Sequence, residues 1–318
     1  MAPDPRSLLF LSCDIVGSTQ FKQNRSKNWQ ATFLAFYRQF PQVLGQMARH
    51  YPDLDFKLWK PVGDELIFTC RVEKEIDVYN AVRVWLAAMS EYESGTLFKE
   101  NLATKGGAFI ATFPGPDSES TIPINPSSED SDEDPVELNR IALSGRRSPM
   151  RYLYDYFGPS IDTGFRIFGV CSQRHFTMTV EVAWAMSRCL QDTGMDKSSV
   201  HVDDFTLLTT QSLKGVWGGR EYPVFAIDRQ HDDLVNKALE QIKGRALQSN
   251  DIAVLCHECS QTDEWPSLLY LPQSGFELFK KVPKESVRPL EKIHRDGRED
   301  LALGLGGTES LEENPPRI

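Results

Sequence analysis

The order of periodicities along the first hundred or so residues restricts the fold of this chain more than any other feature. Residues 7–14 read as an apolar strand, and "SKNWQATFLAFYRQFPQVLGQMARHY" then takes helical spacing, ending near Tyr51. Two further strands, "DFKLWKPV" and "ELIFTCRV", are joined by a tight turn at Gly63-Asp64. "EIDVYNAVRVWLAAMSEY" returns to helical spacing, and "LATKGGAFIATF" supplies another strand. This β-α-β-β-α-β order predicts an α+β fold, a ferredoxin-like sheet with extra strands, packed by helices on one face.

Periodicity stops at "PGPDSESTIPINPSSEDSDEDPVE", rich in Pro, Ser and acid, which predicts an exposed, mobile loop over about 113–137. It resumes with the strand "RYLYDYFG", the helix "PSIDTGFRIFGVC", the pair "HFTMTV" and "EVAWAMSRCL", and a closing hairpin, "FTLLTTQSLKGV" with "EYPVFAID". A first domain over 1–229 is therefore expected. A helix, "DDLVNKALEQIKGRALQ", leads into a small C-terminal α/β segment over 230–282, with its β-containing part around 251–282. The polar tail, 283–318, reads as disordered.

With 35 basic and 45 acidic residues the net charge is −10, which argues against a general nucleic-acid or anionic-membrane surface. The apolar stretch Leu8 to Val16 is too short and too acidic for a signal peptide or a spanning helix, so the expected location is cytoplasmic. Six cysteines in 318 residues make no disulfide framework. Only Cys256 and Cys259, in "CHECSQ", have metal-like spacing. No second pair follows, so a zinc site is disfavoured there and the role of Cys256 and Cys259 stays open, while Cys13, Cys70, Cys171 and Cys189 read as small core residues.

Two acids stand where chemistry is plausible. Asp14, in "FLSCDIVGSTQFK", ends the first strand, and Asp64 sits in the turn of "KPVGDELIF". Taken singly, each is an ordinary cap or turn residue. If the strands are neighbours, the two carboxylates and a backbone carbonyl form a hard, oxygen-rich site suited to Mg²⁺ or Mn²⁺. Gly17, Ser18 and Thr19 then offer backbone N–H groups to a triphosphate. Further on, "DYFGPSIDTGFR" carries Asp155, Asp162 and Arg166, the last two also readable as a surface i,i+4 ion pair.

Together these strings resemble the signature of the class III nucleotidyl cyclases. Their first metal acid lies in a strand-end motif like "DIVGST", and their second in a Gly-Asp turn four residues after a base-recognising Lys, here Lys60. Their other base-recognising residue precedes a catalytic Asn by seven positions, and a catalytic Arg follows that Asn by four. Here those positions are Asp155, Asp162 in place of Asn, and Arg166. The resemblance implies two Mn²⁺ or Mg²⁺ ions per site held by Asp14, the Ile15 carbonyl and Asp64. It also implies a two-fold homodimer in which one copy supplies the acids and the other Lys60, Asp155 and Arg166. "SLKGV" resembles an element whose Lys contacts phosphate, here Lys214.

Lys60 donates and Asp155 accepts, a pattern that adenine, uracil, cytosine and guanine can each satisfy. Bulky residues nearby in sequence, Tyr51, Trp59, Tyr156 and Phe157, could narrow the pocket to one ring. The "DIVGST" form, the missing Asn and the appended segment resemble the pyrimidine cyclases of the bacterial Pycsar anti-phage system, whose cyclic UMP or cyclic CMP activates a separate effector. The expected reaction is UTP to 3′,5′-cyclic UMP and pyrophosphate. The alternatives are a cytidylate cyclase, an adenylate cyclase and a non-catalytic nucleotide-binding module.

Overall fold

The computed structural model describes residues 4–23, 28–125, 127, 133–145, 151–191, 205–243 and 247–287. Strand β1 (Arg6–Val16) leads into a short helix α1 (Ser18–Gln23) and the long helix α2 (Trp29–Met47). A hairpin follows, β2 (Phe56–Val62) and β3 (Glu65–Val72), and then helix α3 (Glu75–Gly95). The predicted strand at 102–113 divides at Gly106 into β4 (Ala103–Lys105) and β5 (Gly107–Phe113). Beyond it come β6 (Ser118–Pro123), α4 (Pro135–Ser144), β7 (Tyr152–Phe157) and α5 (Pro159–Phe168). The chain continues through β8 (His175–Met178), α6 (Val180–Gln191), β9 (Phe205–Ser212), β10 (Glu221–Asp228), α7 (Leu234–Lys243) and α8 (Ser249–Ser260).

The main sheet runs β2-β3-β1-β5-β8-β10-β9, with β4 paired to the end of β1, and β6 and β7 form a separate ribbon. β1 is central and antiparallel to both β3 and β5, while β5 and β8 are parallel. Because side chains alternate across a strand, β1 feeds two cores. Leu9, Leu11 and Cys13 join the larger one, with Phe36 and Phe40 of α2, Trp85 of α3 and Met186 of α6. Leu8 and Phe10 join the smaller one, with Phe109 of β5 and Ile161 and Phe168 of α5. Trp85 also donates its indole N–H to the Ser12 carbonyl at 3.0 Å, tying α3 to β1 two residues before Asp14.

Three expectations need correction. Helices cover both faces of the sheet, since α5 buries its apolar side against Phe10 and Phe109, opposite α2, α3 and α6. The acidic stretch contains β6, which pairs residue for residue with β7 from Ser118↔Phe157 to Pro123↔Tyr152; residues 126 and 128–132 lie outside the described residues. The stretch 251–282 is helical and irregular, with no strand among its residues. α8 puts Ile252, Cys256 and Cys259 into the larger core, where Leu269, Leu271 and Phe279 follow, so the segment closes that core. The Cys256 and Cys259 thiols are pushed up by burial, Cys259 to about 11, as protonated core side chains should be. The tail from residue 288 lies outside the described residues.

Candidate active site

The register of β1 against β3 places Asp14 opposite Glu65, so Asp14 and Asp64 come together at one end of the sheet. Both line a cavity of about 720 Å³ with Ile15, Gly17, Ser18, Thr19, Glu65, Lys105 and Cys171. The two turns that shape it require glycine: Gly17 has φ +76° and Gly63 φ +63°, where a Cβ is strained. Tyr37 of α2 donates its hydroxyl proton to the Gly63 carbonyl, holding the Asp64 turn. The Ile15 side chain is buried in the core, so its backbone is what faces the cavity.

Each acid carries an ammonium. Lys105 Nζ lies 3.2 Å from Asp14 Oδ2, and Lys22 Nζ lies 3.1 Å from Asp64 Oδ1. Burial pushes the Asp14 carboxyl up; Lys105 pulls it down, and the neighbouring Asp64 adds to the rise. Burial also acts to raise Asp64, but hydrogen bonds from Ser18 and Lys22 outweigh it and hold Asp64 low. Glu65 is pushed up by burial and by Asp14. Among the described residues no three His, Cys, Asp or Glu side chains gather as a metal cluster. The donor set that fits is two carboxylates and backbone oxygen, hard ligands suited to Mg²⁺ or Mn²⁺.

A second group assembles over the smaller core, outside that cavity. Lys60 of β2 reaches Asp155 of β7 with Nζ 2.8 Å from Oδ1 and 3.0 Å from Oδ2. A register shift between Leu58 and Lys60 redirects this strand. Beneath the pair lie Trp59 and Tyr156, packed against Phe10 with ring centroids 5.0 and 5.3 Å away. The Lys60 ammonium sits 4.1 Å from the centroid of Trp59. Phe157 is half exposed, and Tyr51 packs against the larger core, so neither belongs to this floor.

Arg166 and Asp162 ride on α5 beside this group, with Lys60 5.8 Å from the ring of Phe165. Arg166 donates to the backbone carbonyl of Asp162 at 2.6 Å, which replaces the side-chain ion pair that the i,i+4 spacing suggested. Neither residue lines the cavity of the acids. Lys214 is exposed in the turn between β9 and β10 and also stands outside it. The chain therefore gathers the acids with the Gly17–Thr19 turn, and separately joins Lys60 to Asp155.

Sequence reasoning missed Lys22, Glu65, Lys105 and Asp117. Lys105 comes to Asp14 through the β1–β4 register, a pairing 91 positions apart that no local pattern encodes. Asp117 was submerged in the acidic stretch, yet its buried carboxylate accepts from Ser160 N at 2.9 Å and Thr112 N at 3.1 Å. It thereby anchors the start of α5 to β5.

No family model and no curated protein matches the chain. Among solved structures it is similar to the guanylyl cyclase Cya2 at 16% identity and TM-score 0.44, over 72% of this chain and 93% of that one. It is similar to the guanylate cyclase domain of RhGC from Catenaria anguillulae in complex with GTP at 10% identity and TM-score 0.45, over 72% and 100%. The adenylyl cyclase CyaB from P. aeruginosa gives 12% identity and TM-score 0.45, over 73% and 98%.

Proposed function

We propose that this chain is a nucleotidyl cyclase that converts UTP to 3′,5′-cyclic UMP and pyrophosphate in the cytoplasm, as a signal in anti-phage defence read by a separate effector. The observation that carries the reading is the division of the motif residues into two half-sites. Asp14 and Asp64 share one cavity, while Lys60, Asp155 and Arg166 lie outside it. Two copies related by a two-fold axis would bring one half-site of each to a shared triphosphate and make two such sites.

In the reaction the ribose 3′-oxygen attacks the α-phosphorus. The bond to the bridging oxygen breaks, pyrophosphate leaves, and the hydroxyl proton passes to solvent. Asp14, Asp64 and the Ile15 carbonyl would hold two Mn²⁺ or Mg²⁺ ions, which supply charge neutralisation and a more acidic hydroxyl. Backbone N–H groups of Gly17, Ser18 and Thr19, with Lys214, bind phosphate oxygens. Arg166, brought by the partner copy, places its charge where negative charge builds on the α-phosphate. Asp162 stands where the resembling family has Asn and orients the ribose by accepting from a hydroxyl. Lys60 and Asp155 exchange their mutual ion pair for the acceptor and donor of the base edge.

What favours a pyrimidine is that the "DIVGST" and Asp162 variations resemble the pyrimidine subgroup. The adenylate reading stays in play because the same pair also fits N1 and the amine of adenine, and the cytidylate reading on N3 and the amine of cytosine. Incubating the pure protein with Mn²⁺ and each of the four triphosphates separately tests this. Cyclic UMP as the main product is the expected result; cyclic AMP as the main product would overturn the pyrimidine assignment, and no cyclic product would overturn the cyclase.

A further inference from the structure

The acids of the candidate site are matched one to one with lysines. Lys105 Nζ is 3.2 Å from Asp14 and Lys22 Nζ is 3.1 Å from Asp64. Each lysine is held at its root. Lys105 ends β4, whose Thr104 N–H and hydroxyl both donate to Glu93, and Glu93 is itself paired with Arg229 at 2.9 Å. Lys22 lies in the last turn of α1, its ammonium 4.6 Å from the ring centroid of Phe33. The ends are less confined: each side chain keeps about a third of its surface open. A lysine head on a four-carbon stem can therefore swing without moving the backbone.

A divalent ion and an ammonium cannot share the same carboxylate oxygens without strong repulsion, because charges of like sign at such separations oppose each other steeply in a partly buried site. A metal arriving alone must displace an ammonium from its paired carboxylate, leaving Glu65 as the acid still beside Lys105. A metal arriving with a triphosphate brings several anionic oxygens into the same cavity, so the displaced ammonium finds one at once.

Resting on the metal-site reading above, we propose that Lys22 and Lys105 are exchange ligands. They neutralise Asp64 and Asp14 in the empty protein, and transfer to phosphate oxygens when the metal–triphosphate complex binds. The lysines thus disfavour metal alone and favour metal with triphosphate, so substrate and ions load together. Bound triphosphate gains two cations that the motif residues do not supply.

The exchange predicts effects of opposite sign from the same substitution. Lys22→Gln and Lys105→Gln, singly and together, are compared with the unaltered full chain, each checked for native circular dichroism. Mn²⁺ alone, followed by the paramagnetic resonance of the free ion, should bind roughly tenfold more tightly in the double variant. Inorganic tripolyphosphate with saturating Mn²⁺, followed by calorimetry, should bind roughly tenfold more weakly. Unchanged affinities, or two changes in the same direction, would overturn the exchange.

Two further measurements make the result unambiguous. In an unsubstituted chain whose lysines carry ¹³C-methyl groups, which preserve charge, the Lys22 and Lys105 signals should move on adding Mg²⁺ and again on adding tripolyphosphate. Stationary signals would refute the proposal even if a Gln variant failed to fold. The Asp14→Asn/Asp64→Asn double variant separates the two readings. If it still binds Mn²⁺ as the unaltered chain does, the metal site itself is wrong and the exchange falls with it. If it loses Mn²⁺ binding while the lysine variants behave as the unaltered chain, only the exchange is wrong.

Discussion

Gly164 is the position at which packing and the proposed catalysis are most tightly joined. It lies on the face of α5 that meets the sheet, two residues after Asp162 and two before Arg166. A Cβ built there would stand 2.2, 2.3 and 2.5 Å from three ring carbons of Phe109. Carbon atoms in good contact sit about 3.5–4.0 Å apart, so helix and ring must separate by roughly 1.3 Å. Phe109 has nowhere to go: it is fully buried, stacked on Phe10 with centroids 4.5 Å apart and planes 5° from parallel, and Phe168 is 5.2 Å away. The helix must move instead. Overpacking of this kind costs about 1–3 kcal/mol. For a chain of this size that corresponds to a fall in Tm of roughly 2–5 °C. Misplacing catalytic groups by about 1 Å can lower the rate by on the order of 10²-fold. Gly164→Ala should therefore melt lower and turn over triphosphate on the order of a hundredfold more slowly. Gly45 of α2 is exposed with nothing within 4 Å of a built Cβ, so Gly45→Ala should be neutral or stabilising by up to about 1 kcal/mol. A Gly164→Ala protein that melts and reacts as the unaltered one does would refute the placement of α5 against Phe109.

Glu181 of α6 is fully enclosed and receives the Trp265 indole N–H at 3.0 Å; burial pushes its pKa up to about 7. Its folded value lies above the unfolded one, so its contribution is full below pH 4.5, is lost as pH rises towards 7, and stays lost above. Glu181→Gln should remove a pH-dependent loss on the order of 3 kcal/mol, seen as urea midpoints that differ from the unaltered protein at pH 8 and converge near pH 4.5. Asp117→Ala leaves the Ser160 and Thr112 N–H groups unpaired, which should cost roughly 2–5 kcal/mol in thermal unfolding, with Asp117→Asn losing less. Lys60→Ala breaks the pair with Asp155 and should lower kcat/KM by roughly 10–100-fold while flattening the preference among the four triphosphates.

Much of the frame could be read locally. The β2–β3 hairpin and α3 stand where alternation and helical spacing put them, because Gly63 stops one period and the Asp77 carboxylate, accepting from the Glu73 and Lys74 N–H groups, starts the next. The acids and the Lys60–Asp155 pair were legible as motifs, and the antiparallel β1–β3 register accounts for the convergence of Asp14 and Asp64. What escaped was non-local. β6 has an exposed Ile122 and no apolar face of its own; its pairing with β7 makes it a strand. α8 mixes buried Ile252, Cys256 and Cys259 with exposed Val254 and Leu255, so the short run "IAVLC" resembles a strand until α6 lies beside it. The side of the sheet taken by α5 and the two lysines on the acids follow from long-range packing, which no window of sequence contains.

Mixing two inactive variants tests the central claim most directly. An Asp14→Ala/Asp64→Ala chain lacks the acids, and an Arg166→Ala chain lacks the opposing charge. Equal amounts, exchanged into mixed dimers, should regain up to roughly a quarter of the unaltered rate, since half the dimers then hold one complete site of two. A mixture that forms dimers and makes no cyclic nucleotide would contradict a site shared between two copies.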